Sequence, residues 1–229
     1  MTSLRQLRVS LRQRGVVATA HWAAFGYLRP HRFVIFGTGL DEPWAPGAPE
    51  TPRGLRLELW SAARLARWRG TRRGLAPEFF RDEIDGARRC AVAVDGHDVI
   101  GVVWIHEPGA GSRMFRLAAG EAELNYGWVR PADRNRGVFT ALLQFAAGTL
   151  AAESCLAIYA AVHSANTPSL TAFRAAGFRQ LGVVTHASVF RPRVVCSALG
   201  RTPSPRLPHA PSRAFSLSAI LAAIADLFG

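Results

Sequence analysis

Residues 125–143 read Asn-Tyr-Gly-Trp-Val-Arg-Pro-Ala-Asp-Arg-Asn-Arg-Gly-Val-Phe-Thr-Ala-Leu-Leu, an order suited to holding an anion. An apolar strand runs out at Val129, Pro131 lacks the N–H that further pairing would need, and a helix begins near Val138 with Leu142, Phe145 and Leu150 on its inner face. The start of a helix presents unpaired N–H groups and a partial positive charge. Gly137 lets a ligand approach the backbone with no Cβ between them. Arg134 and Arg136 put positive charge where a diphosphate would sit. On physical grounds the segment is either an anion site or an ordinary strand–turn–helix junction.

The strand leading into it carries the other reactive groups. Two-residue alternation places Glu121, Glu123 and Asn125 on one face. Of these Glu123 is the candidate general base, acting directly or through water, and a solvent-facing carboxylate is the alternative reading. Tyr126 and Tyr159 are alternative proton donors or buried structural residues. His163 and Ser164 border the cleft, with a structural role as the alternative reading, and Trp104 and Trp128 read as core or cleft wall. The 3 cysteines, Cys90, Cys155 and Cys196, form no CxxC pair, and the 7 histidines show no zinc-ligand spacing, so no metal is expected. All 28 basic residues are arginine, which excludes a Walker-type phosphate loop and a lysine nucleophile.

The run Val129-x-Pro131-x-x-Arg134-x-x-Gly137, followed by Ala141-Leu142-Leu143, resembles the acetyl-CoA pyrophosphate loop of the GCN5-related N-acetyltransferase (GNAT) family. Further along, Val162-x-x-x-Asn166-x-x-Ser169-x-x-x-Phe173-x-x-x-Gly177-Phe178 is similar to that family's second motif. The pair is specific where either alone would be weak, and the resemblance covers residues 55–199. It implies a mixed α/β domain with a largely antiparallel central sheet flanked by helices, whose central strands splay to admit the pantetheine arm. Val129 would offer backbone groups to that arm. Arg134, Asn135, Arg136, Gly137, Val138, Phe139 and Thr140 would cradle the diphosphate, and Asn166, Phe173 and their helix would flank the thioester. The implied activity is acetyl-CoA-dependent N-acetyl transfer to a primary amine in a ternary complex.

Three positions depart from the family pattern. Phe139 stands where a second glycine is usual, and Asn135 replaces another frequent glycine. Phe173 falls where the family often has a tyrosine general acid, and it has no exchangeable proton. Acyl transfer needs a neutral amine, a stabilised oxyanion and a departing thiolate. A thiol with a pKa near about 8.5 can leave without a dedicated acid, so the reaction survives Phe173. The alternative is a non-catalytic acyl-CoA-binding module.

These groups need a scaffold. The patterning predicts strands at 32–36, 55–60, 90–94, 99–105, 121–129, 156–162, 181–190 and 193–199. Helices are predicted at 61–69, 77–85, 138–153 and 168–176. The turn Asp95-Gly96-His97-Asp98 reads as a hairpin. Thr167 is the expected N-cap of the last helix, Pro168 its first residue and Gly177 its left-handed C-terminal stop.

Residues 31–200 form the expected acyltransferase domain. Residues 1–30 precede it as a basic amphipathic segment, with Leu4, Leu7 and Leu11 on one stripe and Arg5, Arg8 and Arg12 one position behind. That helix suits either packing against the domain or lying on an anionic membrane surface. Residues 201–212 are a Pro-rich linker, and 213–229 an apolar helix. The net charge is +12 and the pI about 11.4, which favours anionic partners. These include an anionic small-molecule or glycan-precursor amine as acceptor. The arginines are dispersed without an aromatic-interleaved patch, which argues against nucleic acid. The expected setting is the cytoplasm, either free or at the inner membrane face.

Overall fold

A computed structural model describes residues 31–38, 52, 54–110, 112 and 114–186. The expected terminal helices, the linker, the strand at 193–199 and Cys196 lie outside the described residues. The expected domain boundaries at 30 and 200 therefore remain expectations.

Seven strands form one sheet in the order β2-β3-β4-β5-β6-β1-β7: β1 His31–Gly37, β2 Arg56–Ser61, β3 Arg89–Asp95, β4 Asp98–His106, β5 Glu121–Val129, β6 Ala157–His163 and β7 Arg179–His186. Every neighbouring pair is antiparallel except β5 and β6. The helices are α1 Ala62–Arg69, α2 Arg81–Asp85, α3 Val138–Ala152 and α4 Thr167–Ala175. The architecture is the mixed, largely antiparallel α/β fold expected.

Each face of the sheet buries a different layer. On one, Ala122, Leu124 and Ile158 of the strands pack against Leu142, Leu143, Ala146 and Leu150 of α3 and against Phe173 of α4. Removing one such leucine from water stabilises the fold by about 1.5–3 kcal/mol. On the other, Trp60, Cys90 and Trp104 meet Leu65 of α1 and Phe79. Beside them Tyr159, Phe33 and Ile35 pack under Met114 and Phe115 of the β4–β5 connection.

Local chemistry accounts for the element ends. Ser61 caps α1, its Oγ accepting from the N–H of Arg64 at 3.2 Å, and Arg67 and Arg69 in the last turn suit the helix dipole. The predicted helix at 77–85 is a 3-10 turn, Pro77–Phe80, running into the short α2. The N-cap of α4 is Asn166 rather than Thr167. Its Oδ1 accepts from the N–H of Ser169 at 3.3 Å, a role for which asparagine outranks threonine. Strand β1 lies between β6 and β7, pairing Phe33 with His163 on one side and with Val184 on the other. An N-terminal strand outside the motif-bearing region thus lies inside the sheet, one strand from its edge.

Candidate active site

Strands β5 and β6 pair only through Glu121↔Ala157, Ala122↔Ile158 and Glu123↔Tyr159. Beyond that point β5 continues to Val129 and β6 to His163 without pairing each other. The ladder between β4 and β5 is irregular at the same level. Trp104 pairs with Asn125 and Val102 with Trp128, so Tyr126 and Gly127 together oppose Val103. Two residues against one is a β-bulge, which twists its strand away from regular pairing. Tyr126 adopts φ 52° there, a conformation uncommon for a bulky residue. The hydrogen bond from the Tyr126 N–H to Asn125 Oδ1, 2.8 Å, holds the bulge in shape.

The anion loop lies at the mouth of this splay. After Val129 a 3-10 turn, Pro131–Asp133, leads to Arg134. Asn135 takes φ 61° and Gly137 φ 76°, so two of the loop's residues are left-handed. Asparagine tolerates that conformation better than most residues, which explains how it stands where glycine is frequent. Gly137 is the N-cap of α3, and no side chain caps the helix. A Cβ built on Gly137 would meet nothing within 4 Å. The first intrahelical bond is Ala141 N–H to Gly137 O at 3.0 Å. The N–H groups of Val138, Phe139 and Thr140 therefore lie ahead of the helical ladder. The loop is open and donor-rich, and it fits a diphosphate.

The two loop arginines brace this turn. Arg136 donates to Asp133 Oδ1 at 2.6 Å, Arg130 holds the other oxygen of the same carboxylate, and Arg134 Nε reaches Val129 O at 3.3 Å. The Arg130 hydrogen bond, with the charge of Arg130 and Arg136, keeps the Asp133 carboxyl below the ordinary range. Sequence reasoning missed Asp133. Its spacing of three residues from each arginine was the available signal.

Glu123 departs from the solvent-facing alternative: it is 0% exposed. Ser112 of the β4–β5 connection donates to its Oε2, and Asn125 Nδ2 donates to its Oε1 at 2.8 Å. Burial raises its pKa, and His106, Ser112 and Asn125 counter that effect. Both oxygens are engaged, but an ionised carboxylate has about four lone-pair sites, so it keeps acceptor capacity beyond these two bonds. Ser112 carried no sequence signal, because only the folded connection brings it under β5.

Phe173 is buried in an aromatic cluster. It stacks on Phe36 at 5.4 Å between ring centroids and meets Phe178 and Phe139 edge to face at 5.2 and 6.0 Å. Phe139 crosses the splay and lies against Gly127. Between them these rings make the floor of the gap apolar.

The remaining residues fall as follows. Trp104 is buried and donates to Glu78 O at 2.6 Å, and Trp128 packs on Phe79. Tyr159 is buried against Phe115, with its pKa raised to about 12 by burial and by Glu121, so it stays protonated. The Arg81 guanidinium lies 3.4 Å from the Tyr126 ring centroid. His163 Nδ1 accepts from the Ala165 N–H at 3.2 Å, and its Nε2 lies 3.2 Å from His31 Nδ1. The Ser164 N–H donates to Arg32 O at 2.7 Å. Asn166 caps α4 through its side-chain oxygen. Cys90 is buried and Cys155 half-buried, and burial raises both thiols above their usual range. Among the described residues no group of three or more His, Cys, Asp or Glu could hold a metal ion. None of the described helices is long and apolar enough to cross a membrane.

A model of the acetyltransferase (GNAT) family matches residues 56–178, more than half of the chain. No curated protein matches. Among solved structures, the chain is similar to a GCN5-related N-acetyltransferase from Sphaerobacter thermophilus (20% identity, 73% of this chain and 54% of that one, TM-score 0.45). It is also similar to a GCN5-related N-acetyltransferase-like protein from Streptococcus suis (9% identity, 75% and 66%, TM-score 0.48). A third is an aminoglycoside N-acetyltransferase in complex with CoA (20% identity, 57% and 92%, TM-score 0.43). The chain thus spans about half the length of some of these proteins, 54% of the Sphaerobacter one.

Proposed function

The chain belongs to the acetyltransferase (GNAT) family, and from that premise we propose that it transfers an acetyl group from acetyl-CoA to a primary amine within a ternary complex. The observation that carries the reading is the end of β5–β6 pairing at Glu123↔Tyr159 beside the uncapped start of α3 at Gly137. Together they supply a gap for a narrow arm and an anion site at its mouth. The thioester brings an activated acyl group and a leaving thiolate. Everything else falls to the protein.

In this reading Val138, Phe139 and Thr140 hold the diphosphate through backbone N–H groups, with Arg134, Asn135 and Arg136 shaping the loop around it. Val129 orients the arm, and Asn166 and Phe173 border the thioester end. The Gly127 N–H at the bulge, whose shape the Tyr126–Asn125 hydrogen bond holds, faces the growing charge on the carbonyl oxygen, an arrangement fixed before reaction. An alkylammonium with a pKa near about 10 must lose a proton before it attacks. Glu123, with both oxygens engaged, takes that proton through a water. Acceptor chemistry follows the charge: a net +12 favours an anionic amine, such as a small molecule or a glycan precursor. The reading also includes a cytoplasmic setting, with the basic segment before residue 30 on an anionic inner-membrane surface. A chain starting after Arg29 then loses its affinity for anionic vesicles, and unchanged binding contradicts that part.

Release of free thiol from acetyl-CoA across a panel of primary amines tests the activity. Amine-dependent release supports it. CoA binding with no release from any amine favours a non-catalytic acyl-CoA-binding module.

A further inference from the structure

His106 on β4 is the direct partner of Glu123 on β5, and both are 0% exposed. Antiparallel partners project to the same face, so an imidazole and a carboxylate share one buried layer at the root of the splay. Neither His106 Nδ1 nor Nε2 has a hydrogen-bond partner, although buried polar groups are nearly always paired.

Four groups surround the imidazole. Glu123 and Tyr126 face it from β5, the Tyr126 ring at 5.7 Å between centroids. Asp85 and Arg81 face it from α2. Asp85 Oδ2 lies 3.6 Å from His106 Nε2, beyond direct hydrogen bonding but within reach of a bridging water. Arg81 Nε donates to the same Asp85 oxygen at 2.7 Å, so that pair is electrically balanced. Glu123 and His106 are left to balance each other. A carboxylic acid beside a neutral imidazole carries the same net charge as a carboxylate beside an imidazolium. A proton can therefore pass between them, over a bridging water, without adding net charge to a low-dielectric layer.

We propose that Glu123 and His106 form a proton-storing couple for the acyl transfer, with Asp85 as the outlet toward solvent. The inference deepens the acetyltransferase reading and rests on it. An N–H bond of the acceptor ammonium breaks and its electron pair stays on nitrogen. The proton, carried by a water, forms an O–H bond on the Glu123 carboxylate. That O–H bond then breaks and, across a second water, an N–H bond forms on the imidazole, which makes no direct hydrogen bond to Glu123. After product leaves, the imidazolium gives up its Nε2 proton through water to Asp85, and from there to solvent. The couple returns to carboxylate and neutral imidazole, and the net change is one proton moved from amine to solvent. His106 acts through Glu123 and is a positioning residue.

The test is the pH dependence of turnover in the full chain, compared with His106→Gln. In that variant kcat should fall at least about tenfold with KM for acetyl-CoA within about twofold, and an unchanged kcat overturns the couple. The acid limb of the variant's kcat/KM profile should move to higher pH. A rate lowered equally at every pH overturns the proposal, because a purely structural role behaves that way. If the wild-type chain releases no thiol with any amine, the acetyltransferase reading fails and the couple falls with it; release by the wild type with no change in His106→Gln overturns the couple alone.

Discussion

The Phe139 ring fills the space into which a side chain on Gly127 would project, so the first turn of α3 and the bulge of β5 are in contact across the splay. Gly127→Ala should therefore destabilise the fold by about 1–3 kcal/mol through overpacking. Denaturant unfolding checks it. The double variant Gly127→Ala/Phe139→Ala should recover part of the loss, giving a coupling of about 0.5 kcal/mol or more. Strict additivity would mean that the contact is not the cause.

A carboxylate placed at the anion site should repel a diphosphate. Gly137→Asp is tolerated sterically, since a Cβ there meets nothing within 4 Å, and aspartate is among the residues that accept a left-handed φ. The unfolding cost should stay within about 1–2 kcal/mol, the strain of an L-residue at a left-handed φ. CoA affinity, measured by calorimetry, should fall at least about tenfold, or ~1.4 kcal/mol. Unchanged affinity would place the diphosphate elsewhere.

Restoring a hydroxyl in the aromatic cluster should not help. Phe173→Tyr buries a phenol against Phe36, Phe139 and Phe178. An unpaired hydroxyl there costs about 1–3 kcal/mol. The melting temperature should drop with no rise in kcat. A gain in kcat would show that thiolate departure had lacked an acid.

Glu123 also sets a pH signature in stability. Burial raises its pKa in the folded chain, so between the ordinary carboxylate value and that raised value the folded state binds more protons than the unfolded one. Stability from this group is then present at low pH and lost as pH rises through the window. Melting curves across that range should show Glu123→Gln flattening the decline. An equal slope in both proteins would contradict the burial argument.

Much of this was legible in the sequence where local rules decide. The β5 boundaries, the start of α3 and the stop at Gly177 followed from alternation, Pro131 and glycine placement. The anion loop was readable because its donors are backbone groups in one contiguous run. What stayed hidden depends on register. Ser112, His106 and Asp85 reach Glu123 only through the β4–β5 ladder, the connection above it and the packing of α2, and none of these leaves a pattern in the chain. The place of β1 beside β6 was hidden for the same reason: residues 31–37 and 157–163 lie far apart in sequence. The burial of Glu123 overrode a pattern that suited an exposed strand face.

The central claim is that coenzyme A sits at the start of α3. Backbone amide NMR of the full chain titrated with CoA tests it most directly. The account predicts the largest shifts at Gly137, Val138, Phe139 and Thr140, with smaller ones at Gly127. No shift at saturating CoA, or the largest shifts elsewhere, would contradict it.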